Sequence, residues 1–142
     1  MTAVRSPAPA AVLHPSATLA KFASELKYSD IPESVRMRCE DLFLDTMASI
    51  LAGSSARAVK AMAKYTALMG PSEGKSEDFV NRRMTNPFFA AMVNAAAAHV
   101  VEQDDVHNGS VFHPAAVVFP PALAVAQAIG ASGEEFITAS VV

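Results

Sequence analysis

Two stretches of this chain leave little choice about fold. From Pro87 through Val101 (PFFAAMVNAAAAHVV) and again from Pro114 through Gly133 there is no Asp, Glu, Lys or Arg, and alanine is the commonest residue in both. Alanine has the highest helix propensity of any residue, and its small side chain lets helix axes approach closely. A helix without a charged face has nothing to show to water, so the first stretch is predicted to be buried on most of its sides. The expected architecture is all-α, a multi-helix bundle with a tightly packed alanine-rich core.

Bulk properties narrow the function classes. At 142 residues and 51% hydrophobic content the chain fits one globular domain with a real core. Its 11 Lys and Arg stand against 14 Asp and Glu, a formal charge of -3, which gives no electrostatic footprint for nucleic acid or an anionic membrane. No stretch is both long enough and free enough of charge and proline to span a bilayer. Cys39 stands alone, so no internal disulfide is possible, and a reducing, cytoplasmic setting is expected. Residues 1–15, with three prolines and one short apolar run, lack a signal-peptide core and read as a disordered tail ahead of a domain over 16–142.

Periodicity and end signals divide that domain. Leu19, Phe22, Ala23 and Leu26 make an apolar stripe on a helix over 17–27. Pro32 and Glu33 open a second helix, carried by Val35, Cys39, Leu42, Phe43, Met47 and Ile50 to a stop at Gly53. A third covers 56–69 and closes at Gly70-Pro71. Residues 71–85 read as a long polar connection with a short strand or turn around Phe79-Val80. Asn86-Pro87 caps the first alanine-rich helix. In the second, the Pro120-Pro121 pair is expected to kink the helix or split it before Gly130. Ser132 and Glu135 form a capping box for a last helix, whose apolar stripe is still developing at Val142, which predicts a domain cut short.

Between the two alanine-rich segments lies a polar island, Glu102 to Pro114, with three carboxylates and two imidazoles. Ionisable groups beside apolar helices are costly unless they pair, bind something or work as acids and bases. His113, set by Pro114 at a helix entrance, is the expected acid–base group; its competing role is a helix cap. His107 is either a second proton carrier or a solvated loop residue. Asp104 and Asp105 point in different directions, so one should orient an imidazole while the other caps or pairs, and Asp104 is favoured for the first role. Glu102 and Asp105 are candidates for binding substrate. His99, one helical turn before Glu102, can reach the island but is read as a hydrogen-bonded core histidine. Arg82 and Arg83, with Lys75, are the cations available to an anionic substrate, or else a solvated loop. Glu102, Asp104, His107 and His113 are metal-ligand types, but their spacing matches no strong metal signature, and no metal or cofactor is expected. Cys39, amid apolar helix positions, is read as inert.

Three places together resemble the MmgE/PrpD family, whose members include 2-methylcitrate dehydratase, cis-aconitate decarboxylase and an iminodisuccinate epimerase. They are Leu44-Asp45-Thr46-Met47-Ala48-Ser49-Ile50-Leu51-Ala52-Gly53; Asn94-Ala95-Ala96-Ala97-Ala98-His99-Val100-Val101-Glu102-Gln103-Asp104-Asp105; and His113-Pro114-Ala115 with Pro120, Ala122, Leu123, Ala124 and the Gly130-Ala131-Ser132-Gly133 turn. The likeness covers roughly residues 17–142. It implies the large helical domain of the family, without the smaller α/β lid domain that members normally add. It also implies a homodimer, or a complementing C-terminal polypeptide, and a cleft for small di- or tricarboxylates worked by metal-free proton transfer. Many members have Asp where Glu102 stands and Thr where Val106 stands, and their later Lys and Tyr have no counterpart here. The resemblance makes the expected activity that of a lyase, a dehydratase of the 2-methylcitrate type first and a decarboxylase or epimerase next; the alternative is a non-catalytic helical module.

Overall fold

The computed structural model describes residues 14–142, so the tail expected over 1–15 lies outside the described residues apart from its last two, of which Pro15 opens a helix. Among the described residues there are six helices: α1 (Pro15–Glu25), α2 (Glu33–Gly53), α3 (Arg57–Met69), α4 (Pro87–His99), α5 (Pro114–Ile129) and α6 (Gly133–Val141). A single 3-10 turn at Tyr28–Asp30 precedes α2. Two three-residue strands, β1 (Ser76–Asp78) and β2 (Arg83–Thr85), pair antiparallel with Ser76 opposite Thr85. The fold is all-α apart from this hairpin. No helix among the described residues is long and apolar enough to cross a membrane.

The charge-free helix α4 is the centre, packed against α2, α3, α5 and both strands. Ala90, Val93, Ala97 and Ala98 are fully buried, as the absence of a polar face requires. Ala97 and Ala98 join Ile50 of α2, Val59 of α3 and Ala116 of α5 in one core cluster. Small residues set the approach of the helices: a Cβ on Gly53 would lie 2.0 Å from the Ala97 carbonyl oxygen and 2.7 Å from Val100 Cγ1. Gly53 therefore does more than end α2; it lets α2 lie directly on α4. A second cluster joins Cys39, Ala115 and Phe119, closed by Phe43 and Phe136, whose rings meet edge to face at 4.9 Å.

Three details refine the sequence reading. The Pro120-Pro121 pair does not split α5, which runs unbroken from Pro114 to Ile129. Adjacent prolines remove two consecutive backbone donors, yet packing on α4 holds the helix together across them. The connection at 71–85 contains two short strands, and Phe79-Val80 lies in the turn between them, as the turn alternative at that place expects. On α1 the apolar stripe meets no core: Leu19 and Phe22 are exposed and no α1 residue is buried.

The hairpin is held by buried polar groups. Asp78 is fully buried; its Oδ1 accepts the backbone N–H groups of Val80 at 3.1 Å and Asn81 at 2.9 Å, and its Oδ2 accepts Asn81 Nδ2 at 2.6 Å. The Asn94 side chain on α4 accepts from Phe79 N at 3.0 Å and donates to Glu77 O at 2.8 Å. Ser76 Oγ donates to Ala124 O on α5 at 2.6 Å. Every one of these groups finds its partner inside the protein, which is the condition for burying it without a large cost. The hairpin thus ties α4 to α5, the two helices that carry the polar island between them.

Candidate active site

The island leaves the C-terminal end of α4, loops outward and returns at the N-terminal end of α5, so both helix ends meet across it. His99 is the last residue of α4 and His113 the residue immediately before α5. Between them sits Asp104, whose side chain has no solvent exposure. His99 Nδ1 is 3.1 Å from Asp104 Oδ2, a well-aligned hydrogen bond. His113 Nδ1 is 3.3 Å from Asp104 Oδ1, within ion-pair distance but off the hydrogen-bond direction, so that this buried nitrogen has no aligned partner. The distance defines the contact and the angle makes it the looser of the two. The two imidazole rings lie edge to face, centroids 4.8 Å apart. Among the described residues no Lys or Arg forms an ion pair with Asp104.

Both imidazoles line a cavity of about 370 Å³ between α4 and α5, whose other walls are apolar, including Ala95, Phe112, Ala116 and Val117. A carboxylate that holds an imidazole by one nitrogen fixes its orientation and leaves the other nitrogen to take or give a proton. His99, Asp104 and His113 are also the one group of His, Cys, Asp or Glu among the described residues whose ligand atoms lie close enough to share a cation, within 4.8 Å of one another. The sequence-level metal set of Glu102, Asp104, His107 and His113 is not assembled in that form.

The loop around this cluster is conformationally demanding. Glu102 and Val111 both have φ of +50°, in the left-handed region that a β-branched residue such as Val seldom enters. Such strain persists where surrounding contacts over-determine it, and it is concentrated at functional sites. Asp105 turns away from its neighbour and caps α5, its Oδ1 accepting Ala115 N at 2.9 Å. One aspartate therefore pairs with imidazole and the other caps, as their adjacency implies. The His113 side chain makes no cap hydrogen bond of its own.

The other candidates separate. His107 is exposed in the outer turn of the loop, its Nδ1 2.8 Å from Ser110 Oγ, and its ring is not among the walls of the cavity. Glu102 is exposed just beyond α4. Arg82 occupies the tip of the hairpin with φ of +53°. Arg83 is committed to structure, donating to the carbonyls of Thr66, Ala67, Gly70 and Pro71 at 3.1–3.4 Å and so satisfying the end of α3. That guanidinium replaces the cap which the extended Gly70 does not provide, and it is not the free cation that the sequence offers. Lys75 is exposed at the foot of the hairpin. Cys39 is buried, with its thiol pushed up by burial first and by Glu40 second, which keeps it neutral and a poor nucleophile.

His99 is the residue that sequence reasoning placed wrongly. Its side chain is half exposed and belongs to the cluster, not to the core. The available signal was its position at the end of α4, where the chain turns outward and Asp104, five residues later, can fold back onto it.

The chain is 34% identical over 138 residues to a cis-aconitate decarboxylase-like protein, oryM, of Aspergillus oryzae, covering 89% of this chain and 28% of that protein. It is 28% identical over 119 residues to a cis-aconitate decarboxylase of Aspergillus terreus, covering 84% of this chain and 24% of the relative. The chain thus spans about a quarter of the length of the curated relatives it matches. Residues 17–142 match the MmgE/PrpD N-terminal domain, and the chain belongs to the MmgE/PrpD family.

Proposed function

We propose that this chain carries the proton-transfer part of a lyase site for small di- or tricarboxylates, with His113 as the principal acid–base group and Asp104 orienting it. The observation that carries the reading is a fully buried carboxylate whose ion-pair partners are two imidazoles opening on one cavity. Decarboxylation of an unsaturated tricarboxylate of the cis-aconitate kind is the first reaction to test, because the relatives above bear that name. In it the bond to one carboxyl carbon breaks, carbon dioxide leaves, the electron pair stays on the remaining carbon skeleton, and one proton from an imidazolium satisfies it. Dehydration of a 2-methylcitrate-like hydroxy acid is the alternative, and needs one proton taken beside a carboxylate and one given to the departing hydroxyl.

The cavity has no Lys or Arg in its wall, so the substrate's negative charge is balanced by groups beyond this lining. Exposed Leu44, Leu51, Leu68 and Ile129 offer apolar surface for that completion, whether by a second copy of the chain or by a complementing polypeptide. A cytoplasmic setting fits the single neutral cysteine.

The test is turnover by the purified chain of cis-aconitate, citrate and 2-methylcitrate, measured as carbon dioxide release and as ultraviolet absorbance of unsaturated product. Activity that falls by about 10²–10⁴-fold in His113→Ala is the expected outcome. Full activity in that variant sinks the acid–base assignment. Folded wild-type chain that turns over none of the three, alone or with an added partner polypeptide, favours a non-catalytic helical module.

A further inference from the structure

We propose that His99 and His113 form one unit with Asp104, in which the carboxylate holds both rings with hydrogen on Nδ1 and leaves both Nε2 atoms as proton acceptors on the same cavity. What the pair acts upon rests on the functional reading above; the pair itself rests on geometry. An ionised carboxylate can only accept hydrogen bonds, so a ring nitrogen aligned on it must carry the hydrogen. His99 Nδ1 meets that condition at 3.1 Å from Oδ2. His113 Nδ1 is buried without a hydrogen-bond partner among the described residues, and Asp104 Oδ1 lies 3.3 Å from it. A lone pair there would face the oxygen's own lone pairs, whereas an N–H would be attracted to the carboxylate. His99 Nδ1 lies nearer Oδ2 but also reaches Oδ1 at 3.4 Å, so the two rings share one carboxylate, and the bond made by one nitrogen determines the state of the other.

Two imidazoles on one cavity do what one cannot. In a dehydration, the neutral ring takes the proton from the carbon beside a carboxylate, the C–H electron pair becomes the double bond, and the C–O bond breaks. The protonated ring gives its proton to the departing hydroxyl, which leaves as water. The rings have then exchanged roles with no net change in protons. Decarboxylation uses only one of them as donor, so the unit can serve either branch of the proposed chemistry. His99, rather than His107, is its second member.

The experiment is a two-bond proton–nitrogen correlation spectrum of the histidine-labelled 142-residue chain, followed to the deprotonated limit of a pH series and assigned with His99→Asn and His113→Asn. Both rings should show the Nδ1–H pattern. A predominant Nε2–H form of either ring overturns the unit. Asparagine keeps a donor near the Nδ1 position but has nothing at Nε2. In an assay where the wild-type chain turns over, His99→Asn should therefore preserve the His113 pattern while kcat falls by more than about 100-fold. Unchanged kcat would make His99 only a structural partner of Asp104 and overturn the proposal. Absence of turnover by the wild type counts against the functional reading, and the wild-type spectrum still decides the unit.

Discussion

Asp78, at the end of β1, and Asp104, in the loop after α4, are both buried carboxylates close to α4, and they have opposite surroundings. Asp78 is satisfied by the two backbone N–H groups and the side-chain amide of its own turn, with the Thr66 hydroxyl 3.4 Å away. None of these donors is an acid–base group. Asp104 instead has two imidazoles, one well aligned and one not, and both rings open onto a cavity. Burial of a charge does not by itself mark a reactive site. What marks one is a set of partners that can change protonation and reach a bound molecule.

The largest effects should separate the two aspartates. Asp104→Asn should lower turnover by about 10²–10⁴-fold, because an amide no longer enforces the imidazole tautomer, while the unfolding temperature changes little. Asp78→Ala should do the reverse. It strands the donors of Val80 and Asn81 inside the fold and should cost about 3 kcal/mol in denaturant unfolding, with activity per folded molecule retained. If Asp78→Ala abolished turnover in a folded protein, the distinction between a structural and a reactive carboxylate would fail.

Smaller effects sharpen the contrast. Arg83→Ala should lower stability by about 1–2 kcal/mol through the carbonyls it leaves at the end of α3, without raising KM for a tricarboxylate. A large rise in KM would return Arg83 to the substrate. Glu135 is a third, exposed carboxylate, held low by hydrogen bonds from the Ser132 backbone and hydroxyl in the α6 capping box. Since its folded value lies below the ordinary one, its stabilisation is present above the usual carboxylate range and is lost as pH falls through the folded value. Ser132→Ala should cost about 1 kcal/mol near neutral pH, and that difference from wild type should shrink on acidification. A difference that stayed constant through the acid range would remove Glu135 from the cap's energetics.

Most of the helical frame was legible because its signals are local. Asn86 caps α4 through Phe89 N as its position ahead of Pro87 implies, Ser132 and Glu135 form both halves of their box, and Gly130 takes the left-handed conformation that ends α5. The strands were less legible: they are three residues each, too short for alternation, and are specified by contacts to Asn94, Ala124 and Gln127 far away in the chain. At Pro120-Pro121 the helix runs on without a split, the outcome of the two expected that leaves the hydrogen-bonded element in one piece.

The candidate site divides along the same line. By itself the sequence determined that two charge-free alanine-rich segments form helices and that the ionisable residues are gathered in the short stretch between them, because composition and spacing act over a few residues. Only the tertiary structure decided that Asp104 faces His99 and His113 while Asp105 caps α5, that His107 stands in an outer turn, and that Arg83 belongs to α3. Those outcomes depend on which side chains converge when α4 and α5 come together, and the direction of a side chain in an irregular loop is set by contacts that no local pattern encodes.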